Sequence, residues 1–518
     1  MKHRIKTSLR RVPLILLSAL SVCAAETRSS RTAAPVDIGS RLELFVDRQL
    51  IGQQNNTRLK PGAPRREELS IAFDRPWEGR FAGASSVLKD GDVYRMYYRG
   101  SGYGSDGAED PLAELTCYAE SRDGIHWTKP NLGLHEFLGS RDNNIILPPG
   151  DKRRLSHNFM AFLDSRPGVP AAERYKGVGG TREHGLFRLV SADGIRWKMF
   201  LEEPIFLGYA LDTVNVAMWS PAENQYVAYI RTWTEGGTPE NPKFNGLRTI
   251  SRAVSKDFIT WSKPEEMNYG DTTPEHIYTN GTHPYFRAPH ILIALPFRYV
   301  DGLGGKVASH QAPPKTGRAA LTQAEMDAWN FNLPWMRVGV SDVVLMTSRG
   351  GTTYDRAFME SFIRPGLERG SWTSRGNNPA VGVVQTGPTE MSLYLQAHYM
   401  LPTYHMRRYS LRLDGFASVN APYAGGEMTT KPIKFSGSRL VINYSTSSVG
   451  SIRVEVLDES SQPLPGFSLE DCDEMIGDEV NRTVSWKTKT DLATLTGRAV
   501  YLRFAMIDAD LYTLQFQP

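Results

Sequence analysis

Apolar positions along the chain come in short β-branched and aromatic runs, without the three-to-four-residue spacing of an amphipathic helix. Val93-Tyr94-Arg95-Met96-Tyr97-Tyr98, Tyr226-Val227-Ala228-Tyr229-Ile230 and Ile291-Leu292-Ile293-Ala294-Leu295 are such runs, each bounded by Gly, Pro, Asn or Asp. Branched and aromatic side chains fit a pleated, half-buried surface, and the flanking residues turn the backbone, so these runs predict antiparallel strands. From about Gly415 the pattern becomes a cleaner alternation, in Leu440-Val441-Ile442-Asn443-Tyr444, Ser451-Ile452-Arg453-Val454-Glu455-Val456 and Ala499-Val500-Tyr501-Leu502-Arg503-Phe504. It predicts a β-sandwich domain over residues 415–518. Two stretches break the strand pattern. Residues 301–336 read as an insertion with a short helix from Leu321 to Trp329. Residues 1–25 carry a basic start (Lys2, Arg4, Lys6, Arg10, Arg11) followed by an apolar run from Val12 to Ala25, which reads as a secretory signal peptide.

The chain also repeats itself. Ser121-Arg122-Asp123-Gly124-Ile125-His126-Trp127 recurs as Ser191-Ala192-Asp193-Gly194-Ile195-Arg196-Trp197 and as Ser255-Lys256-Asp257-Phe258-Ile259-Thr260-Trp261, with a degenerate copy from Ser348 to Tyr354. Ser and Asp bond nearby amides, Gly supplies positive φ, and Trp packs on the neighbouring unit, so each copy reads as a structural corner. Repeats of this length, each holding several short strands, predict sheets arranged radially. Innermost strands are expected at Ala82–Leu88, Asn158–Leu163, Val214–Trp219, Thr279–Tyr285 and Ala380–Thr386. The expected fold is therefore all-β, a five-bladed β-propeller over residues 40–414 followed by the sandwich. Leu42 to Ile51 is expected to close the ring by joining the last blade.

Composition narrows the function. The chain has 518 residues, 60 Lys+Arg against 56 Asp+Glu for a net charge of +4, 40% apolar residues, 46 Gly, 32 Pro, 10 Trp, 22 Tyr and 21 Phe. So small a charge excess does not make the field that nucleic acid requires, so no nucleic-acid partner is expected. No membrane partner is expected once the signal peptide is removed, and nothing in the sequence sets an oligomeric state. Cys117 and Cys472 remain after position 25; an exported chain can pair them, and two buried thiols are the other reading.

In a radial array, residues just before each innermost strand converge on one axial funnel. These starts supply Glu78 and Arg80, His157 and Asn158, Asp212 and Asn215, Glu275, His276, Tyr278 and Asn280, and Asn377 and Asn378; second strands return to the same face with Arg99, Arg231, Arg298 and His398. Carboxylates among Arg, Asn, His and aromatic groups suit polyol recognition, through bidentate hydrogen bonds and stacking faces. Glycosidic cleavage needs an acid to protonate the departing oxygen and a second carboxylate to activate water or attack. Glu275 is the expected general acid, Asp212 the group that orients the sugar or tunes that acid, and Glu78 or Asp47 the base. His157, His276 and His283 have no compact ligand spacing. No metal or cofactor is expected, although a structural calcium or other cation in the funnel is compatible with these carboxylates.

Phe45-Val46-Asp47, Asp74-Arg75-Pro76-Trp77-Glu78-Gly79, the repeated corner, Asn131-Leu132-Gly133-Leu134, Asp142-Asn143-Asn144-Ile145 and Leu411-Arg412-Leu413-Asp414-Gly415-Phe416 resemble a family of exported bacterial proteins. That family is related to the five-bladed propeller glycosidases, the arabinanase, xylosidase, fructosidase and neoagarooligosaccharide-hydrolase group. The resemblance implies an Asp base, a second Asp and a Glu acid, each at the start of an innermost strand, and Asp212 and Glu275 match by position. Phe81-Ala82-Gly83-Ala84 stands where the group has an Asp-Pro pair, which would leave the base to Asp47 or Glu78. The implied function is an exported, periplasmic or extracellular glycoside hydrolase acting on chain ends, by inversion or by retention. A carbohydrate-binding propeller without catalysis, or a lyase or phosphorylase on the same scaffold, are the alternatives.

Overall fold

The computed structural model describes residues 34–79, 81–101, 114–300, 339–372, 375–399, 403–487 and 489–518. Residues 1–25, expected as a signal peptide, residues 301–336, expected as an insertion with a helix, and Arg80 lie outside these residues. Among the described residues the regular structure is β-strand, with three short 3₁₀ turns at Ala171–Glu173, Arg369–Ser371 and Ala493–Leu495.

Antiparallel sheets follow one another along the chain. The first holds Gly83–Asp90, Val93–Gly100, Leu115–Ser121 and Ile145–Leu147, with Trp127–Thr128 beside the third strand. The second holds Met160–Leu163, Tyr175–Thr181, Gly185–Ser191 and Lys198–Met199; the third holds Val216–Ser220, Gln225–Thr238, Asn241–Ser255 and Glu265–Glu266. The fourth is split into two halves, His276–Ile277 with Phe297–Val300 and Val340–Val343, and His283–Tyr285 with Ala288–Ala294 and Met346–Ser348. The fifth runs Val384–Gln385, Glu390–Ala397, His405–Arg412 and Arg65–Ala72. Its outermost strand thus comes from near the N-terminus.

The repeated corner forms the same hydrogen bonds in all three good copies. Ser121, Ser191 and Ser255 donate through Oγ to the Asp two residues on, at 2.9, 3.0 and 2.9 Å. Each Asp Oδ1 accepts the amides two and three residues further, as Asp193 does from Ile195 (2.9 Å) and Arg196 (2.7 Å). Each Trp indole donates to the carbonyl three residues back. The residue that needs positive φ is Gly124 (74°), Gly194 (76°) or, in the third copy, Phe258 (65°).

The corner aromatics link successive sheets. Trp197 of the second sheet meets Tyr97 of the first edge-on at 5.8 Å, Trp261 after the third meets Phe206 at 6.0 Å, and Tyr354 after the fourth lies 5.8 Å from Tyr229 of the third. Trp127 of the first sheet meets Tyr394 of the fifth at 5.5 Å. Residues from Val87 to Gly91, Met160 to Ser165, Val216 to Pro221, Thr282 to Phe286 and Val381 to Gln385 line one cavity of about 610 Å³. The inner strands of all five sheets therefore surround common space.

Leu42 to Ile51 does not join the fifth sheet. Glu43–Leu44 pairs with Tyr501–Gln517, and Ile51–Asn55 with Gly426–Thr430. Its side chains explain why. Leu42, Leu44 and Val46 pack with Ile291, Ile293, Leu393 and Leu395, while Phe45, Leu50 and Ile51 pack with Met428, Leu502 and Phe504. A segment apolar on both faces is stabilised between two cores, not at an edge. The strand that does complete the fifth sheet, Arg65–Ala72, is largely charged and is held by ion pairs such as Arg408 with Glu68. The large C-terminal sheet joins Arg439–Leu457 and Tyr501–Gln517 with Ala417–Ala421, Gly426–Thr430 and Asp478–Thr483, and takes in Arg58–Pro61 from the N-terminal side. Cys117 and Cys472 are both free and buried in different cores.

Candidate functional site

A polar pit of about 70 Å³ lies where the starts of the inner strands meet. Its lining includes Ala84 and Arg99 from the first sheet, Asn158 ahead of the second, Asp212 ahead of the third, Tyr278 in the fourth, and Arg375, Asn378, Gln396 and Tyr399 around the fifth. Ala84 (φ 45°), Asn158 (φ 50°) and Arg375 (φ 67°) have left-handed backbones. Such conformations in residues other than Gly cost of order 1–3 kcal/mol each, and they concentrate where a site fixes its side chains.

Asp212 sits on a tight turn. Asn215 donates through Nδ2 to the carbonyls of Leu211 (2.8 Å) and Thr213 (3.0 Å), clamping the turn on both sides of the Asp. Its Oδ1 accepts the amide of Arg231 (3.2 Å), and Arg231 Nε donates to Ala210 (3.1 Å). The Arg231 guanidinium pairs with Asp212, whose side chain remains 47% exposed. The surrounding walls push the Asp212 pKa up, but Arg231, His157 and Arg182 outweigh them and hold it below the ordinary carboxylate value. Asp212 is thus a charged carboxylate facing the pit. Asn215 is its support, not a substrate ligand.

Across the pit, Arg99 donates to Asn158 Oδ1 at 2.9 Å and to the Phe81 carbonyl at 3.1 Å. Glu114 pairs with Arg154 (2.6 Å), with Arg99 (3.6 Å) and, through Oε2, with His157 Nδ1 at 2.9 Å. Burial raises the Glu114 pKa, yet His157, Arg99 and Arg154 win and place it far below the usual range. His157 Nε2 is buried and has no hydrogen-bond partner among the described residues. A carboxylate on one ring nitrogen fixes the orientation of the imidazole beside the pit residue Asn158. Asn378 Oδ1 on the pit wall is likewise buried without a partner among the described residues. Buried acceptors left open in this way are uncommon in native proteins.

Tyr278 stacks on Phe297 at 4.6 Å and lies beneath three guanidinium groups, Arg231 at 5.2 Å, Arg248 at 5.0 Å and Arg375 at 5.4 Å from its ring centre. Burial would raise its pKa, but Arg375, Arg231 and Arg248 bring it below the ordinary value despite the opposing charge of Asp212. His276 accepts the Arg248 amide through Nδ1 at 3.1 Å and so braces Arg248.

Other sequence-predicted residues take structural positions. Glu275 is outside the pit lining. Its Oε1 accepts from Arg298 (2.9 Å) and its Oε2 from Arg356 (2.7 Å), so both oxygens are taken up by guanidinium groups. Arg298 also grips Asp342 at 2.9 and 2.6 Å. This geometry leaves Glu275 poorly placed as an acid. Glu78 is fully buried and accepts from Tyr98 (2.6 Å), the Arg75 amide (2.8 Å) and Lys129 (2.8 Å), which removes it from any substrate. Asp47 is buried against Arg349 (2.7 Å) and accepts the Gln49 amide (2.9 Å), on the Leu42–Ile51 segment that packs between two cores. Asn280 ties the fourth sheet to the carbonyls of Val214 and Tyr229, each at 3.2 Å, and Asn377 bonds the carbonyls of Ser341 (2.7 Å) and Ser371 (2.8 Å). His398 bonds Thr403 (2.8 Å) and Glu368 (3.0 Å). His283 donates or accepts through Nδ1 at the Gly281 carbonyl (2.8 Å). Among the described residues no group of three His, Cys, Asp or Glu side chains could hold a metal ion.

Sequence reasoning missed Glu114, Arg248, Arg375, Gln396 and Tyr399. A signal existed for Glu114: a third strand starts on the face where the second ends, so the residue before Leu115 belongs to the same rim as Arg99. Arg375 lies two positions before Asn377, within the stretch already singled out.

No family model matches the chain. Two uncharacterized proteins of Mycobacterium tuberculosis, from strains CDC 1551 / Oshkosh and ATCC 25618 / H37Rv, are each 33% identical over 84 residues, 16% of this chain. The match spans 24% of the length of those relatives. Among solved structures, a beta-1,2-mannobiose phosphorylase from Listeria innocua aligns at 12% identity and a TM-score of 0.41, covering 67% of this chain and 96% of that one. An arabinoxylan arabinofuranohydrolase of glycoside hydrolase family 43 from Bacillus subtilis aligns at 10% identity and 0.38, covering 85% and 96%. An N-acetylgalactosamine deacetylase from F. plautii aligns at 11% identity and 0.40, covering 69% and 96%.

Proposed function

We propose that the protein is an exported carbohydrate-active enzyme that seats one end of a sugar chain in the pit and cleaves its glycosidic bond. On this reading the five sheets are blades of a propeller, residues 415–518 with the N-terminal strands form a sandwich that braces it, and the pit is the axial funnel. The observation that carries the proposal is the convergence of five sheets on one small polar pit. That pit holds a half-exposed carboxylate, Asp212, the side chains of Tyr278 and Tyr399 in its wall, and an open acceptor on Asn378.

Asp212 is the carboxylate that activates water or stabilises positive charge developing on the sugar. His157, oriented by Glu114 and adjacent in sequence to the pit residue Asn158, takes the place of Glu275 as the source of the proton, which reaches the departing oxygen through an intervening water. Arg99, Asn158 and Asn378 hold hydroxyl groups, and a pit of about 70 Å³ admits one end of a chain. A second reading, sugar binding without cleavage, is favoured by the presence of one expected catalytic carboxylate in the pit, not two. A screen of aryl glycosides and of plant and algal oligosaccharides, with product anomer read by NMR, separates the two. Turnover that disappears in Asp212→Asn supports the enzyme, whereas saturable binding with no turnover on any substrate supports the binding module.

A further inference from the structure

We propose that the cavity among the inner strands is a second ligand site, which holds an apolar aromatic molecule through one hydroxyl donated to His283. This site is independent of the sugar reading of the pit.

The cavity of about 610 Å³ shares no lining residue with the pit. Its volume is that of a small-molecule pocket, and so is its make-up of apolar walls with few polar groups. Met160, Phe162, Met218, Trp219 and Val383 line it. Phe286 lines it as well and is 42% exposed, so the aromatic wall reaches solvent. Aromatic rings and thioethers favour a flat aromatic guest through edge and stacking contacts and through sulfur.

Three polar side chains of the wall already have partners. Thr282 Oγ1 bonds the Tyr354 hydroxyl (2.6 Å), the Tyr285 hydroxyl donates to Asp414 (2.5 Å), and Gln385 Nε2 donates to the Gly387 carbonyl (2.9 Å). Of the residues that line the cavity, His283 is the one with a buried side-chain polar atom, Nε2, that has no hydrogen-bond partner among the described residues.

The other ring nitrogen determines what Nε2 can do. Nδ1 lies 2.8 Å from the Gly281 carbonyl, and a carbonyl oxygen only accepts, so the proton sits on Nδ1. Burial holds the His283 pKa below its ordinary value, against the smaller opposing effect of that hydrogen bond, so the ring is neutral. A neutral imidazole protonated on Nδ1 presents a lone pair at Nε2. The open group is therefore an acceptor. Its direction is set locally, by a bond to a residue two positions back whose φ is 55°. A buried acceptor left open destabilises the fold, and one hydroxyl from a guest removes that penalty. A sugar would bring several further hydroxyls into apolar walls, and a charged molecule would lose its hydration there.

The test is calorimetric titration of the full chain with 1-naphthol, which carries the hydroxyl, and with 1-methoxynaphthalene, which keeps the rings and lacks the donor. Saturable binding of 1-naphthol, roughly tenfold tighter than that of the ether, is the expected result. The preference should be lost in His283→Phe, shown to be folded by thermal unfolding, and kept in Asp212→Asn. If His283→Phe does not fold, the imidazole nitrogen resonances of the parent chain decide: a shift of His283 Nε2 with 1-naphthol and none with the ether supports the site, and an unmoved resonance overturns it. Absence of saturable binding, equal affinity for the two probes, or a preference that survives in His283→Phe overturns the proposal and leaves the pit untouched. Loss of the preference in Asp212→Asn puts the probe in the pit and overturns it as well. Failure to turn over any glycoside counts against the sugar reading alone.

Discussion

The Ser-x-Asp corners at 121–127, 191–197 and 255–261 and the pit are opposite ends of the same sheets. At the corners, three separate segments repeat one set of hydrogen bonds, Ser to Asp, Asp to two amides, and Trp to a carbonyl. At the pit, the sheets contribute no common seven-residue pattern: Arg99, Asn158, Asp212, Tyr278 and Asn378 come one from each. The corners satisfy every polar group locally and pass an aromatic side chain to the preceding sheet. The pit keeps a half-exposed carboxylate, an open buried acceptor and left-handed backbones. Repetition marks what the scaffold needs, and its loss marks where the chain meets something else.

Replacing a pit group should affect chemistry, and replacing a structural group should affect stability. The largest effect is expected for Asp212→Asn, which should lower turnover on a responsive glycoside by roughly 10²–10⁴-fold. Thermal unfolding should stay near that of the parent, because the side chain is half exposed. Full turnover in this variant breaks the contrast at its centre.

Glu275→Gln should do the reverse. Its neutral amide leaves Arg298 and Arg356 without their shared charge, at a cost of roughly 3 kcal/mol, the low end for an ion pair broken in partial burial. A lowered denaturant midpoint with turnover nearly unchanged is the expected pair of readings. Abolished turnover in a protein of parental stability would return Glu275 to the role of acid.

At the corners, Gly194→Ala should cost about 1–3 kcal/mol. The backbone there has φ of 76°, and an added Cβ would come within 2.7 Å of the Tyr97 hydroxyl. Urea unfolding measures it, and unchanged stability would mean that the corner is not held to this geometry. The smallest effect is on the acid limb of stability. Burial raises the Asp193 pKa, but the amides of Arg196 and Ile195, the Arg196 side chain and Ser191 bring it down to about 2. An unfolded Asp titrates near pH ~4. The folded carboxylate therefore contributes stability that is complete above that value and is lost as pH falls towards 2. Asp193→Asn should flatten this part of the curve of unfolding midpoint against pH, and an unaltered slope would show that the corner's anion contributes nothing.

The same contrast explains what could be read from the chain. The corners and inner strands were legible because each is local: seven consecutive residues close the hydrogen bonds, and a short apolar run fits one strand. Asp212 and Asn158 could be placed together from the chain because each precedes an inner strand whose start meets the pit. The strand that completes the fifth sheet was not legible, since four of its eight residues are charged and its apolar alternation is confined to Leu69 and Ile71, while apolar Leu42 to Ile51 is buried between two cores. Glu275 and Glu78 resemble pit acids in sequence, and their arginine and lysine partners lie tens of residues away.

By itself, then, the sequence determined the all-β character, the repeating corner and the neighbourhood of each inner strand, with starts displaced by one to four residues and the fourth split in two, because strand propensity and turn chemistry act over a few residues. Only the tertiary structure decided which carboxylates are matched by arginines and which one faces the pit. Ion pairing depends on distances between residues remote in the chain, and those distances exist only after the sheets have packed.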